Sequence, residues 1–191
     1  AEDGIRDYKV TGVQTCALPI SQPNAPSGVW LPRVELQRVI EETTGVVVID
    51  EAYVDFAADN CLDFAREYPN VLVARTFSKS FALAGLRIGW ATGSVELIGA
   101  LNKVKDSYNV NRLSQLAAEA ALDDREYFDD AIRKVKATRE RTSHHLHALG
   151  FFVHQSQTNF IFAKPWLAVV RQAPSRAEPF RERSPSRAGC H

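Results

Sequence analysis

Lys79 stands between two serines, Ser78 and Ser80, just beyond Thr76, and Arg87 follows on the far side of Gly85. A lysine amine is a nucleophile for carbonyl carbon and forms an imine with it. Upstream, the run Val46-Val47-Val48-Ile49 ends in Asp50 and Glu51, with Tyr53 shortly after. An aldehyde cofactor carrying a pyridine ring and a phosphate asks for groups of these types. It needs an amine to hold the aldehyde, a carboxylate to keep the ring nitrogen protonated, and donors for the phosphate. Lys79 offers the amine and Asp50 the carboxylate. Ser78 and Arg87 offer phosphate donors, the guanidinium through paired charge-assisted hydrogen bonds. Tyr53 is within a few residues of Asp50 and offers a phenol to the oxygen on the ring. Each residue alone has a plainer reading: a strand-end aspartate caps a turn, a loop lysine is solvated, an arginine pairs with an acid. The constellation is what points to chemistry.

Elements must hold these groups in place. Gln22 to Gly28 is dense in turn formers, and its prolines exclude helix or central strand. Pro32 opens a helix whose apolar positions Leu36, Val39 and Ile40 lie at helical spacing and which ends near Gly45. Val46 to Ile49 is a continuous β-branched run, as in a strand buried on both faces. Val71 to Ala74 repeats that pattern after a link containing Cys61 to Tyr68, and Arg87 to Ala91 reads as a third strand. Strand, link, strand with apolar runs argues an α/β fold with a largely parallel sheet. Ligands of such sheets sit beyond the carboxyl ends of the strands, where Asp50 and the Thr76-Ser78-Lys79 segment both fall. From Val95 onward the pattern is helical. Leu97, Leu101 and Val104 share a face, and Ser114 to Leu122 is alanine-rich. A long amphipathic helix from near Arg125 carries Phe128, Ile132, Val135, Thr142, Leu146 and Leu149 inward and stops at Gly150. Phe151 to Val153 and Asn159 to Ala163 read as two further strands.

The stretches Val48-Ile49-Asp50-Glu51-Ala52-Tyr53, Arg75-Thr76-Phe77-Ser78-Lys79-Ser80 and Gly85-Leu86-Arg87-Ile88-Gly89-Trp90 resemble the fold-type I pyridoxal-phosphate aminotransferases. More narrowly, with Tyr108 to Gln115 and Gln157 to Phe160, the chain is similar to the histidinol-phosphate aminotransferases of histidine biosynthesis. The resemblance runs from Gln22 to Pro165 and implies part of a large cofactor-binding domain over 22–105. Over 106–165 it implies long helices and the start of a small α+β domain. It implies pyridoxal 5'-phosphate as cofactor and Lys79 as the attachment point and proton carrier. Asp50 becomes the ring-nitrogen partner and Tyr53 the contact to the phenolic oxygen, with Thr76, Ser78 and Arg87 around the phosphate. In the turn Asn24-Ala25-Pro26-Ser27-Gly28, Ala25 stands where the family has a ring-binding asparagine, and Asn24 is the substitute one residue earlier. The family's glycine-containing phosphate loop, its ring-stacking aromatic and its carboxylate-binding arginine have no counterpart between Gln22 and Pro165. Implied partners are a small amino donor and a keto acid, together with a second copy of the chain. A phospho-amino-acid decarboxylase of the same fold, and a truncated chain without activity, are the competing readings.

The remaining features narrow the field. Lysine plus arginine (23) equals aspartate plus glutamate (23), which argues against a polyanionic partner such as nucleic acid. No apolar run approaches the ~20 residues of a membrane helix. Three cysteines, odd in number and far apart, suit a reducing cytoplasm rather than a disulfide framework. Methionine is absent even at position 1, as expected of a fragment. Residues 1–21 resemble translated sequencing-adapter read-through and are expected to be a non-native or disordered leader. Residues 166–191, an arginine–proline mixture without period, are expected to be disordered or out of frame. His144, His145 and His147 scatter around a helix rather than converge on a metal, and are expected at the surface. Ser78 and Lys79 are too close for a Ser-x-x-Lys acylation pattern.

Overall fold

The computed structural model describes residues 17–165. Its centre is a four-stranded sheet in the order β1 (Ala17–Ser21), β2 (Val46–Asp50), β3 (Val71–Thr76), β4 (Gly89–Gly93). The first three strands are parallel, and β4 runs antiparallel to β3. The chain is thus α/β with a mostly parallel sheet, as the alternation of apolar runs and helical links predicts. Strand β1 departs from the sequence reading, which puts residues 17–21 in the leader. It pairs with β2 from Ala17 opposite Val46 to Ser21 opposite Asp50. Pro19 lacks an N–H, and it fits a strand here because β1 is an edge of the sheet among the described residues. Residues 1–16 and 166–191, with the expectations attached to them, lie outside the described residues.

Helix α1 (Arg33–Glu42) starts at Pro32, whose carbonyl accepts the amides of Glu35 and Leu36. It ends where Thr43 Oγ1 turns back to Val39 O at 2.6 Å. Its buried Leu36 and Ile40 pack with Val47 and Ile49 of β2, Val71 and Val73 of β3, and Cys61, Phe64 and Ala65 around helix α2 (Phe64–Glu67). Burial of each large aliphatic side chain contributes roughly 1.5–3 kcal/mol. The opposite face of β2, Val46 and Val48, is only half-buried. Two-sided burial was expected, but α1 and α2 supply their cover on one face.

Helix α3 (Val95–Val104) is capped by Ser94 and has no buried side chain, so Leu97, Leu101 and Val104 do not form a packed stripe. Helix α4 (Arg112–Asp123) is capped by Asn111, whose Oδ1 accepts the Ser114 amide at 2.9 Å. The long helix α5 (Arg125–Ala148) begins at Asp124 and stops at Gly150, whose φ of 81° is the left-handed turn that the sequence pattern places there. Its inward stripe is buried at Phe128 and Ile132, but Leu149 is 65% exposed. Strand β5 (Phe151–Val153) pairs antiparallel with β6 (Ala163–Pro165). The second strand therefore starts where the expected one, Asn159 to Ala163, ends. Hydroxyls of Ser156 and Thr158 both donate to Phe160 O, at 2.6 and 3.2 Å, and fold Thr158 to Phe160 into a turn before any pairing begins.

Candidate active site

The groups singled out in the sequence gather at the carboxyl ends of β2 and β3. Asp50 closes β2, opposite Ala74 of β3. Its carboxylate is exposed, with Oδ1 accepting the Ala52 amide at 3.0 Å. That bond turns the chain out of the strand and leaves Oδ2 directed to no other group among the described residues. The chain then enters a 3₁₀ turn, Val54–Phe56, with Tyr53 at its mouth. The Tyr53 ring meets Phe160 edge-on at 5.1 Å between centroids. Lys79 Nζ lies 5.1 Å from the centre of the same ring, so the amine sits on the aromatic face as a cation–π pair.

Thr76 ends β3, and its Oγ1 organises the loop that follows. It donates to Ser78 Oγ at 2.9 Å and accepts the Ser78 amide at 3.1 Å. Arg87 is brought to this loop by the backbone. Thr76 pairs with Gly89, and the Phe77 amide donates to Ile88 O at 3.1 Å, so Arg87 is the next residue along the ladder toward Ser78. Its backbone is left-handed (φ 51°), and its guanidinium is exposed, donating to Ala84 O at 3.0 Å. Gly89 permits this close pairing: a Cβ there would stand 2.6 Å from Arg75 O.

Asn24 joins through the turn after β1. The Gln22 amide donates to Asp50 O at 2.9 Å, which seats the turn against the end of β2. Asn24 Oδ1 accepts the Ser27 hydroxyl at 2.7 Å, so its carbonyl oxygen closes the turn and its carboxamide N–H groups are left for another acceptor. Gln22 is wholly buried and pins the turn by donating to Leu31 O at 2.8 Å and accepting the Leu31 amide at 3.0 Å. Gly28, at φ 75°, lets the turn pass Ser156; a Cβ there would meet Ser156 Oγ at 2.6 Å.

Supporting residues lie behind these groups. Glu51, next to Asp50, is fully buried, and its Oε2 receives Arg75 Nε and Nη2, each at 2.8 Å. Burial pushes the Glu51 carboxyl up, and the Arg75 guanidinium opposes that rise. The pair joins β2 to β3 immediately before Thr76. The Cys61 amide also donates to Glu51, and burial, then the Glu51 charge, pushes the Cys61 thiol up to about 12. Ser114, buried on α4, donates to Leu86 O at 2.8 Å and so fixes the turn that presents Arg87. From α5, Arg139 Nη1 donates to Phe56 O at 3.2 Å and Thr158 O at 2.7 Å. Burial lowers the Arg139 guanidinium. Of these, only the Asn111 cap ahead of Ser114 has a local sequence signature; the pairings of Glu51 with Arg75 and of Gln22 with Leu31 have none.

The donor set fits an aldehyde cofactor with a pyridine ring and a phosphate. An amine on an aromatic face, an exposed carboxylate with one oxygen uncommitted, and a pair of hydroxyls on a loop whose backbone neighbour is Arg87 share one end of one sheet. No group of three or more metal-ligating side chains occurs among the described residues, and His144, His145 and His147 are exposed on α5. No helix among them is long and apolar enough to cross a membrane. A groove of about 650 Å³ between α5 and the β5 end, lined by Lys136, His144, His147 and His154, lies away from Lys79.

Residues 1–175 match the family described as aminotransferase class I and II. The histidinol-phosphate aminotransferase of Syntrophotalea carbinolica is 47% identical over 146 residues, which are 76% of this chain and 42% of that protein. The chain thus spans about two fifths of the length of the curated relatives it matches. The crystal structure of the Sinorhizobium meliloti histidinol-phosphate aminotransferase, in complex with pyridoxal-5'-phosphate, superposes with a TM-score of 0.69 at 30% identity, over 82% of this chain and 44% of that one. The L-threonine-O-3-phosphate decarboxylase of Porphyromonas gingivalis gives 0.64 at 26% identity, over 75% and 45%.

Proposed function

The chain belongs to the class I and II aminotransferases, and from that premise we propose that it forms part of a pyridoxal-phosphate enzyme that transfers an amino group between glutamate and imidazole-acetol phosphate. The observation that carries this is the Lys79 amine held on the Tyr53 ring at the strand ends that also present Asp50. When bound, pyridoxal phosphate supplies an aldehyde to take up the substrate nitrogen and a ring that accepts electrons as the α-proton leaves.

The residues divide the remaining work. Lys79 Nζ would hold the aldehyde cofactor and would serve as the base for the substrate's α-proton. Asp50, with Oδ2 uncommitted, would keep a proton on the ring nitrogen. Tyr53, whose face carries the lysine, would offer its phenol hydrogen to the ring oxygen. Thr76, Ser78 and Arg87 bind phosphate, and the left-handed backbone of Arg87 directs it from the turn that Ser114 fixes. Asn24 offers carboxamide N–H groups in the role that Ala25 has lost. The amino donor and keto acid are small molecules, the active assembly is a pair of identical chains, and the reaction belongs to the cytoplasm. A decarboxylase acting on a phosphorylated amino acid would use the same lysine, aspartate and phosphate donors. The likeness to curated histidinol-phosphate aminotransferases, 47% identical over 146 residues, favours transamination.

The test uses a protein that carries this segment at the full length of its relatives. Glutamate formation from 2-oxoglutarate should require histidinol phosphate and should vanish in Lys79→Ala. Carbon dioxide release from O-phosphothreonine without glutamate formation would overturn the transaminase reading.

A further inference from the structure

Lys79 is held from both sides, and one of the two holds depends on a pairing with no local sequence signature. Before it, Ser78 is tied to Thr76. After it, Ser80 Oγ donates a hydrogen bond to Asp55 Oδ2. Asp55 lies in the turn Val54–Phe56, directly after Tyr53, so this bond joins the segment carrying the lysine to the segment carrying the ring under its amine. Both segments have independent anchors. Phe56, beside Asp55, and Phe81, beside Ser80, pack into one cluster with Phe128 and Ile132, and Phe81 stacks on Phe128 at 4.4 Å. Phe77 lies 4.7 Å from Phe81 on the other side of the loop. Asp55 and Ser80 are both half-buried, and Asp55 has no ion-pair partner among the described residues. A carboxylate accepting from a hydroxyl makes a bond about twice as strong as a neutral one, and partial burial shields it from competing water.

We propose that Asp55 is a positioning residue for Lys79, acting through the Ser80 hydroxyl to keep the lysine loop over the Tyr53 segment. The proposal rests on Lys79 being the amine that takes the aldehyde cofactor. The aromatic anchors hold the fold, and the Asp55–Ser80 bond sets the position of the amine within it. Losing the bond therefore costs reaction at Lys79 and leaves the chain folded.

The full chain is treated with pyridoxal phosphate, reduced with borohydride, and mapped by peptide mass for occupancy at Lys79 and at every other lysine. In parallel, amide hydrogen exchange without cofactor is followed over 53–57 and 77–83, and cooperative melting is recorded for each variant. Ser80→Ala and Asp55→Ala should each lower Lys79 occupancy about tenfold, the lower end for one hydrogen bond to a charged group. Exchange should quicken in both segments together. Ser80→Thr and Asp55→Asn, which keep donor and acceptor, should retain most of the occupancy. The double alanine variant should lose no more than either single one, because both remove the same bond. Wild-type occupancy in the alanine variants, equal loss in the conservative ones, or failure of an alanine variant to fold overturns the positioning role. A wild-type chain that takes no label at Lys79 overturns instead the assignment of that lysine, and this proposal with it.

Discussion

Replacing Arg75 by methionine removes the only cation that the described residues place on the buried Glu51 carboxylate. Glu51 is 1% exposed and receives two nitrogens of Arg75 at 2.8 Å on one oxygen. Arg75→Met keeps the side-chain stem and its packing near Trp90, where the guanidinium now lies 5.4 Å from the ring. It leaves the carboxylate without its counter-charge. Breaking a buried pair from one side costs about 3–5 kcal/mol, because the stranded charge has lost its water as well as its partner. For a domain of this size about 1 kcal/mol moves Tm by roughly 2–4 °C, so the variant should melt roughly 6–20 °C lower at pH 7. The deficit has a sign in pH. Burial raises the Glu51 carboxyl and Arg75 opposes that rise, so removing Arg75 raises the carboxyl further. A folded-state value above the unfolded one is a contribution retained at low pH and lost as pH rises through the folded value. The gap between variant and wild type should therefore narrow on acidification, as Glu51 takes up a proton and no longer needs a cation. Urea unfolding at several pH values measures this. A deficit under about 1 kcal/mol at pH 7, or one that does not change with pH, would refute the claim that Arg75 is the counter-charge of a buried Glu51 carboxylate.

Other expectations follow from single contacts. Cys61 is wholly buried with its thiol pushed up to about 12, so at pH 8 iodoacetamide should modify it only as fast as the chain unfolds, as peptide mass mapping will read. The unfolded thiol ionises near 9.0, so the share of stability due to Cys61 should hold below that and fall between about 9 and 12. Gly28→Ala combines a left-handed φ of 75° with a Cβ 2.6 Å from Ser156 Oγ, and should cost roughly 1–3 kcal/mol in denaturant unfolding. Asn111→Ala removes the cap of α4, which should cost about 1 kcal/mol. Because Ser114 on that first turn holds Leu86 O, the same variant should quicken hydrogen exchange in 84–88.

Sequence pattern and structure agree where the signal is local. The β-branched run at Val46 and the apolar run at Val71 become β2 and β3. Gly150 ends α5 because its left-handed turn suits a residue without Cβ. The placement of the strand-end acid and of the lysine among hydroxyls was also legible, since both fall at the same end of a parallel sheet. What stayed hidden depends on distant partners. Nothing local in the sequence pairs Glu51 with Arg75 or Asp55 with Ser80; the fold brings them together. Strand β1 was concealed by the likeness of residues 1–21 to adapter sequence, and its edge position among the described strands accommodates Pro19. The last strand was placed too early because Phe160 and Ile161 suit a strand by propensity, while the Ser156 and Thr158 hydroxyls bind Phe160 O and turn the chain first.

The central claim is that Lys79 is the amine selected for the aldehyde cofactor. Reductive trapping of pyridoxal phosphate at sub-stoichiometric concentration, followed by peptide mapping of the wild-type chain, tests it directly. The account predicts that the pyridoxyl group is found on Lys79 ahead of every other lysine, and that Lys79→Ala reduces total incorporation to the background of those lysines. Incorporation spread among the lysines according to exposure, and unchanged in Lys79→Ala, would contradict it.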